Sequence, residues 1–259
     1  MYTAMNNEKL QQFCLAILFT FLLVSCGGSD TEERKIYDDK GNLVGIELYE
    51  NGIVKEKTGY SYEGNKVLTL KIIDSVNSEI EEYYPNGETR RKGSLYHGMK
   101  KGWWLNYNDT GKLISKQEFF IVADSDYQNQ VIYYDDQNNI MDKSNYADIN
   151  FPDYLEIGRQ IIKVDYHSPN ISDSHVMVCV SDSIKADFSN INEVLLDTFY
   201  SGDNKNVWFG IECNDKKERN VRGFILEEHI YTEEIGKEDS INIVIDKTKL
   251  FFDKKLSVK

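Results

Sequence analysis

A short phrase recurs along the first half of this chain and constrains its fold more than any other feature. It is an aromatic, a polar turn with Gly, then the start of a new strand. The copies are Tyr37-Asp-Asp-Lys-Gly41-Asn-Leu43, Tyr49-Glu-Asn-Gly52-Ile53, Tyr84-Pro-Asn-Gly87-Glu88 and Tyr107-Asn-Asp-Thr-Gly111-Lys-Leu113. Tyr62-Glu-Gly64 and Tyr134-Asp-Asp-Gln-Asn138-Asn are degraded copies. From Tyr37 the tyrosines step by 12, 13, 22, 23 and 27 residues, the long steps reading as doubled short ones. Each copy is what a β-hairpin needs: an aromatic to close one strand and Gly where the backbone takes a positive φ. Asn51-Gly52 and Asn86-Gly87 are the strongest turn signals, and Asn138 stands in for Gly because Asn best tolerates the left-handed region. Hairpins at a fixed period stack so that each covers its neighbour's apolar face. The expectation is a twisted antiparallel sheet of repeated hairpins over residues 35–146.

Within that sheet, residues 98–113 read Gly98-Met-Lys-Lys-Gly102-Trp-Trp104-Leu-Asn-Tyr107-Asn-Asp-Thr-Gly111-Lys-Leu113. The pattern Gly-x-x-x-Gly-x-Trp-x-x-Tyr-x-x-x-Gly-x-Leu resembles the variant MORN repeat of the bacterial YwqK-type antitoxin family. Tyr83-Tyr84-Pro85-Asn86-Gly87 through Gly93 resembles the preceding unit. The resemblance implies a protein-binding scaffold, or immunity against a co-encoded toxin. A repeat scaffold does not itself name a function. Neighbouring residues of a strand point to opposite faces, so one of Trp103 and Trp104 is expected in the core and the other in solvent. The candidate binding face is Trp103, Trp104, Tyr83, Tyr84, Tyr96 and Tyr107, since aromatics dominate contact hot spots. The competing reading is that these rings mainly stabilise the sheet.

The chain opens with an address. Residues 13–24 form an apolar run broken only by Thr20, too short to span a bilayer and suited to an export signal. Leu23-Val24-Ser25-Cys26 resembles the bacterial lipobox. This implies cleavage by signal peptidase II after a signal peptide of residues 1–25, and acyl chains on Cys26. Two or more chains anchor stably where one is marginal. Gly27-Gly28-Ser29-Asp30-Thr31-Glu32-Glu33 is expected as a flexible tether over residues 26–34. Its acidic cluster resembles the surface-export signals of Bacteroidetes lipoproteins, which implies outer-membrane attachment and an outward face. The expected membrane contact is therefore through the acyl chains of Cys26.

After Tyr146 the phrase stops, with Phe151-Pro152 at a boundary. Apolar runs follow at Ile161–Val164, Val176–Val180, Val194–Phe199, Val207–Cys213, Val221–Leu226, Ile241–Ile245 and Leu250–Phe252. Seven short strands with polar turns predict an immunoglobulin-like β-sandwich over residues 147–259. The fold class is thus all-β throughout. Cys179 and Cys213 remain after Cys14 leaves with the signal and Cys26 is acylated. An exported protein meets oxidising conditions, so either a disulfide or two buried thiols fits.

The chemistry expected is that of binding, not turnover. The net charge of −13 leaves no basic face for nucleic acid. No serine-hydrolase elbow, phosphate loop or zinc-protease motif occurs. His97, His167, His175 and His229 do not pair at metal-ligand spacing, and the acidic clusters lack the calcium-loop pattern. The expectation is a non-catalytic, outer-membrane-anchored protein without cofactor or metal, binding a protein or glycan. Immunity against a toxin is the alternative, and an envelope-polymer hydrolase a remote one.

Overall fold

The computed structural model describes residues 30–203, 205–234 and 241–259. The expected signal peptide 1–25, the lipobox-like Leu23-Val24-Ser25 and the expected lipidation site Cys26 lie outside these residues. No helix among the described residues is long and apolar enough to cross a membrane.

The first half is a nine-stranded antiparallel meander: β1 (Thr31–Tyr37), β2 (Leu43–Glu50), β3 (Ile53–Tyr60), β4 (Lys66–Ile72), β5 (Asn77–Tyr83), β6 (Thr89–Tyr96), β7 (Met99–Tyr107), β8 (Leu113–Val122) and β9 (Ser125–Tyr133). Chain order is sheet order, as hairpin repetition requires. β1 starts at Thr31, so residues 31–34 of the expected tether are strand, paired with β2.

The connections differ between the two ends of the sheet. One end carries five-residue loops at 38–42, 61–65, 84–88, 108–112 and 135–139. In each, the first N–H donates to the last carbonyl at 2.8–3.0 Å. Asp38, Asn108 and Asp135 also accept backbone N–H bonds from two and four residues ahead. The fourth residue has positive φ: Gly41, Gly64, Gly87, Gly111, and Asn138 at 65°. At the other end, Asn51-Gly52, His97-Gly98 and Ala123-Asp124 have positive φ at both positions, the two-residue turn that suits strand twist. Asn86-Gly87 is therefore part of a longer loop, unlike Asn51-Gly52. The tyrosines preceding the five-residue loops are Tyr37, Tyr60, Tyr83, Tyr107 and Tyr134. Their steps of 23, 23, 24 and 27 residues show that the unit is one full strand pair.

The second half is built from β10 (Tyr146–Ile149), β11 (Tyr154–Leu155), β12 (Gly158–His167), β13 (Ser174–Val180), β14 (Asp197–Tyr200), β15 (Asn206–Cys213), β16 (Arg219–Glu234) and β17 (Ile241–Val258). A small sheet has the order β10-β12-β15, and a curled half-barrel sheet the order β11-β17-β16-β13-β14. The second sheet is mixed, because β11 runs parallel to β17. Seven separate short strands are not what forms. Ile241–Ile245 and Leu250–Phe252 belong to one strand, and residues 194–196 precede β14. Lys247, Thr248 and Lys249 do not interrupt β17 because each has a partner on β16; Lys247 also pairs with Glu228 at 2.7 Å.

The half-barrel sheet is covered on both faces. Its inner face and the small sheet share a core including Ile162, Val164, Val178, Val207, Phe209, Ile225 and Phe252. On its other face Cys179, Phe224 and Phe251 cluster with Ile184 and Phe188 of the segment after β13 and with Phe120, Val122 and Tyr127 of the meander. Cys179 and Cys213 are buried free thiols in these different clusters, so they do not form the disulfide that the sequence allowed. Burial pushes the Cys179 thiol above its ordinary pKa, against a bond from Thr198.

Candidate functional site

The two tryptophans of β7 take opposite fates. Trp104 is 2% exposed and Trp103 is 40% exposed. Strand parity separates the two rings, and a bulge beside them, where Lys92 pairs Leu105 while Ser94 pairs Lys101, decides which one is buried. Gly93 is thereby placed under the Trp104 ring. A Cβ there would lie 2.5–2.6 Å from three indole atoms, so only glycine admits the ring. The indole N–H donates to the Ser94 carbonyl at 3.1 Å, and Phe119 meets the ring edge-on at 6.2 Å. Lys100 lies 5.0 Å from the same ring, and burial, then the Arg91 charge, lower its pKa. Glu82 accepts from Arg90 and Arg91 beside it. Burial alone would raise this carboxyl, but the two guanidinium hydrogen bonds hold it below its ordinary value.

Trp103 faces the other way. Strand register places Glu118 directly opposite it and aligns Lys92, Leu105 and Lys116 in the next row. The Lys116 ammonium sits 5.2 Å from the Trp103 ring, and that of Lys92 lies 5.7 Å from Tyr107. Nearby, Lys101 lies 4.6 Å from Tyr96, and Lys66 lies 4.3 Å from Tyr83. Tyr83 also donates to Glu81 at 2.9 Å. Tyr84 instead donates to the Tyr107 carbonyl at 2.8 Å, stapling adjacent loops. Of the six candidate residues, the structure therefore sends Trp104 to the opposite face and Tyr84 to the loop end. Trp103 and Tyr107 share one lysine-lined surface. Tyr83, Tyr96 and Tyr107 are half-buried, so Trp103 is the most accessible plane. Such a surface offers a flat ring for stacking and ammonium groups for carboxylates or hydroxyls.

Other polar chemistry lies in the second half. Glu227 is 2% exposed and accepts from Tyr166 at 2.8 Å and Ser168 at 2.9 Å. Burial, then the Glu227 charge, raise the Tyr166 pKa, which keeps that hydroxyl a donor. Strand parity carried the signal for this glutamate. Val221, Gly223, Ile225 and Glu227 alternate along one face, and reading β16 only to Leu226 stops short of it. His167 stacks on Tyr146 at 4.4 Å, not on a metal-ligand cluster. Among the described residues, no group of three or more His, Cys, Asp or Glu is placed to hold a metal ion. Trp208, within the apolar run Val207–Cys213, is 56% exposed. No family model and no curated protein matches this chain.

Proposed function

We propose that this chain is a lipid-anchored, non-catalytic binding protein of the bacterial cell envelope. It is held at the outer membrane through Cys26 and contacts a protein or glycan through the Trp103 surface. The observation that carries this reading is Trp103 itself, 40% exposed within a sheet whose neighbouring rings each carry a lysine. A large ring kept in water on a rigid strand has no structural need to be there, and rigid aromatics make efficient contact residues. The lipobox supports the location. In the second half, two sheets facing each other across one core support an open sandwich as the finer description of the fold.

Immunity against an envelope-acting toxin is the second reading, favoured by the repeat pattern of residues 98–113. Cross-linking the full-length protein in its native cells, followed by identification of what co-purifies, separates the two. Trp103→Ser and Cys26→Ala serve as controls. One secreted toxin captured only by the anchored form favours immunity. Recurrent envelope proteins or glycan, lost in Trp103→Ser, favour the binding reading. Capture unchanged by Trp103→Ser counts against that surface.

A further inference from the structure

Two consecutive strands of the second half, β14 and β15, each have one edge that pairs with no other strand among the described residues. β15 ends the small sheet and β14 ends the half-barrel. The two are consecutive in the chain and are joined at their near ends, where the Ser201 hydroxyl donates to the Asn206 carbonyl at 2.9 Å. Beyond that point they splay apart around a groove of about 750 Å³. Its floor includes Val180, Phe199, Ile211 and Val221.

Strand parity shows which backbone groups face the gap. The Tyr166 N–H donates to the Lys205 carbonyl, so odd-numbered residues of β15 bond to β12. The even-numbered ones point away from it. Ser201 takes the carbonyl of Asn206, and Arg219 takes that of Glu212. Between these two caps lie Trp208 and Gly210, whose N–H and C=O groups face away from β12 and meet no other strand among the described residues. On β14 the Ser201 N–H donates to the Val176 carbonyl, which by the same alternation leaves Thr198 and Tyr200 facing outward.

The two sheet ends of the molecule differ in how they treat their edges. β1, at the edge of the meander, carries Glu32, Glu33, Arg34 and Lys35 in succession, charges that discourage pairing. β15 reads Asn-Val-Trp-Phe-Gly-Ile-Glu-Cys and has one charge, at its end. Its outward face shows Trp208, 56% exposed, and neighbouring Ile161, 67% exposed. Long apolar edge strands of this kind are templates for another strand.

We propose that β15 is a docking strand, and that its occupant is an extended basic peptide segment of a partner protein. The segment adds as a strand between β15 and β14, with alternate apolar side chains directed to Val180, Phe199, Ile211 and Val221. The charge pattern selects its sign. Arg219 pairs with Asp182 and Arg222 with Asp253. Arg159 and the carboxylates Glu193, Asp197 and Glu212 line the groove outside those pairs, an excess of negative charge that suits lysine or arginine.

The test uses the full chain, isotope-labelled in detergent micelles, and the heptapeptide Lys-Val-Lys-Val-Lys-Val-Lys. Binding should slow amide exchange at Trp208 and Gly210. A peptide with Pro at the central position should bind roughly tenfold or more weakly, because Pro removes a ladder donor. Replacing Glu193, Asp197 and Glu212 by Lys should transfer the preference to a Glu-Val peptide. These residues are exposed, so the variant should keep its fold, checked by its amide spectrum. No protection at residues 206–213, or equal binding of the Pro peptide, overturns the proposal. Concentration-dependent protection at β15 without peptide assigns the edge to a second copy and also overturns it.

Discussion

Gly93 lacks a side chain because Trp104 occupies the space where one would stand. Gly93→Ala should therefore destabilise the protein by about 1–3 kcal/mol, the usual range for forcing extra atoms into a packed site. Thermal unfolding followed by near-ultraviolet circular dichroism would read both the loss and the disturbed indole. Glu82 makes a second residue-level prediction. Its folded pKa lies below the ordinary value of 4.5, so its stabilisation is complete above that value. It is lost as pH falls through the lower folded value. The difference in melting temperature between the native chain and Glu82→Gln should be largest near neutral pH and shrink as pH falls below about 4.5. A difference that stays constant over that fall would refute the linkage.

At the scale of elements, turn chemistry governs the meander and one bulge governs its join to the second half. In the 135–139 loop the φ of Asn138 is 65°. Asn138→Gly should be close to neutral there, whereas Asn138→Ala should lose about 1 kcal/mol, the cost of placing a Cβ in the left-handed region. Chemical denaturation of the two variants gives the comparison. The bulge is in β9, where Glu118 pairs Gln130 and Phe119 pairs Gln128, leaving Asn129 as the extra residue. Its amide then reaches β17. It donates to the Phe251 carbonyl at 2.9 Å and accepts the Phe251 N–H at 2.6 Å. A side chain thus serves as a strand partner on the edge of β17 that β11 pairs at Ser257–Val258 and where the Tyr127 hydroxyl donates to the Lys249 carbonyl at 2.9 Å. Asn129→Ala leaves two buried backbone groups of Phe251 without those partners and should cost about 1–3 kcal/mol or more. Denaturant midpoints would show it, and a shift within error would remove Asn129 from the account.

These elements also show what could be read in advance. Glycine and asparagine at fixed offsets specify turns locally, which is why the hairpin sheet was legible before any coordinates. The tyrosine frame was harder. Tyr83 and Tyr84 adjoin, as do Tyr60 and Tyr62 nearly, and only the loop hydrogen bonds show which of them closes a strand. In the second half the misreading was physical. Lys247, Thr248 and Lys249 resemble a break in the apolar pattern, yet each pairs across to β16, opposite Glu228, Glu227 and Leu226, so the backbone ladder carries the strand through them. The contrasting fates of Trp103 and Trp104 followed from strand parity. Which of the two is buried did not, because it depends on Gly93 one strand away. The Asn129 clasp depends on partners 122 residues distant and has no local signature.

For the whole molecule, the meander and the second half share one aromatic cluster, in which Phe120 meets Phe188 at 5.8 Å and Tyr127 meets Phe251 at 5.2 Å. The Trp103 sheet is therefore packed directly on the second half, while a lipid on Cys26 would hold the whole at a membrane. The central claim is that the Trp103 surface, and not the opposite face of the same sheet, meets a ligand at the envelope. A photo-reactive amino acid placed at position 103, and separately at Gln117 on the Trp104 side, tests it most directly in living cells. Irradiation should give one discrete adduct from position 103 and none from position 117, and the adduct should vanish in Cys26→Ala. No adduct at position 103, or the same products from both positions, would contradict the claim.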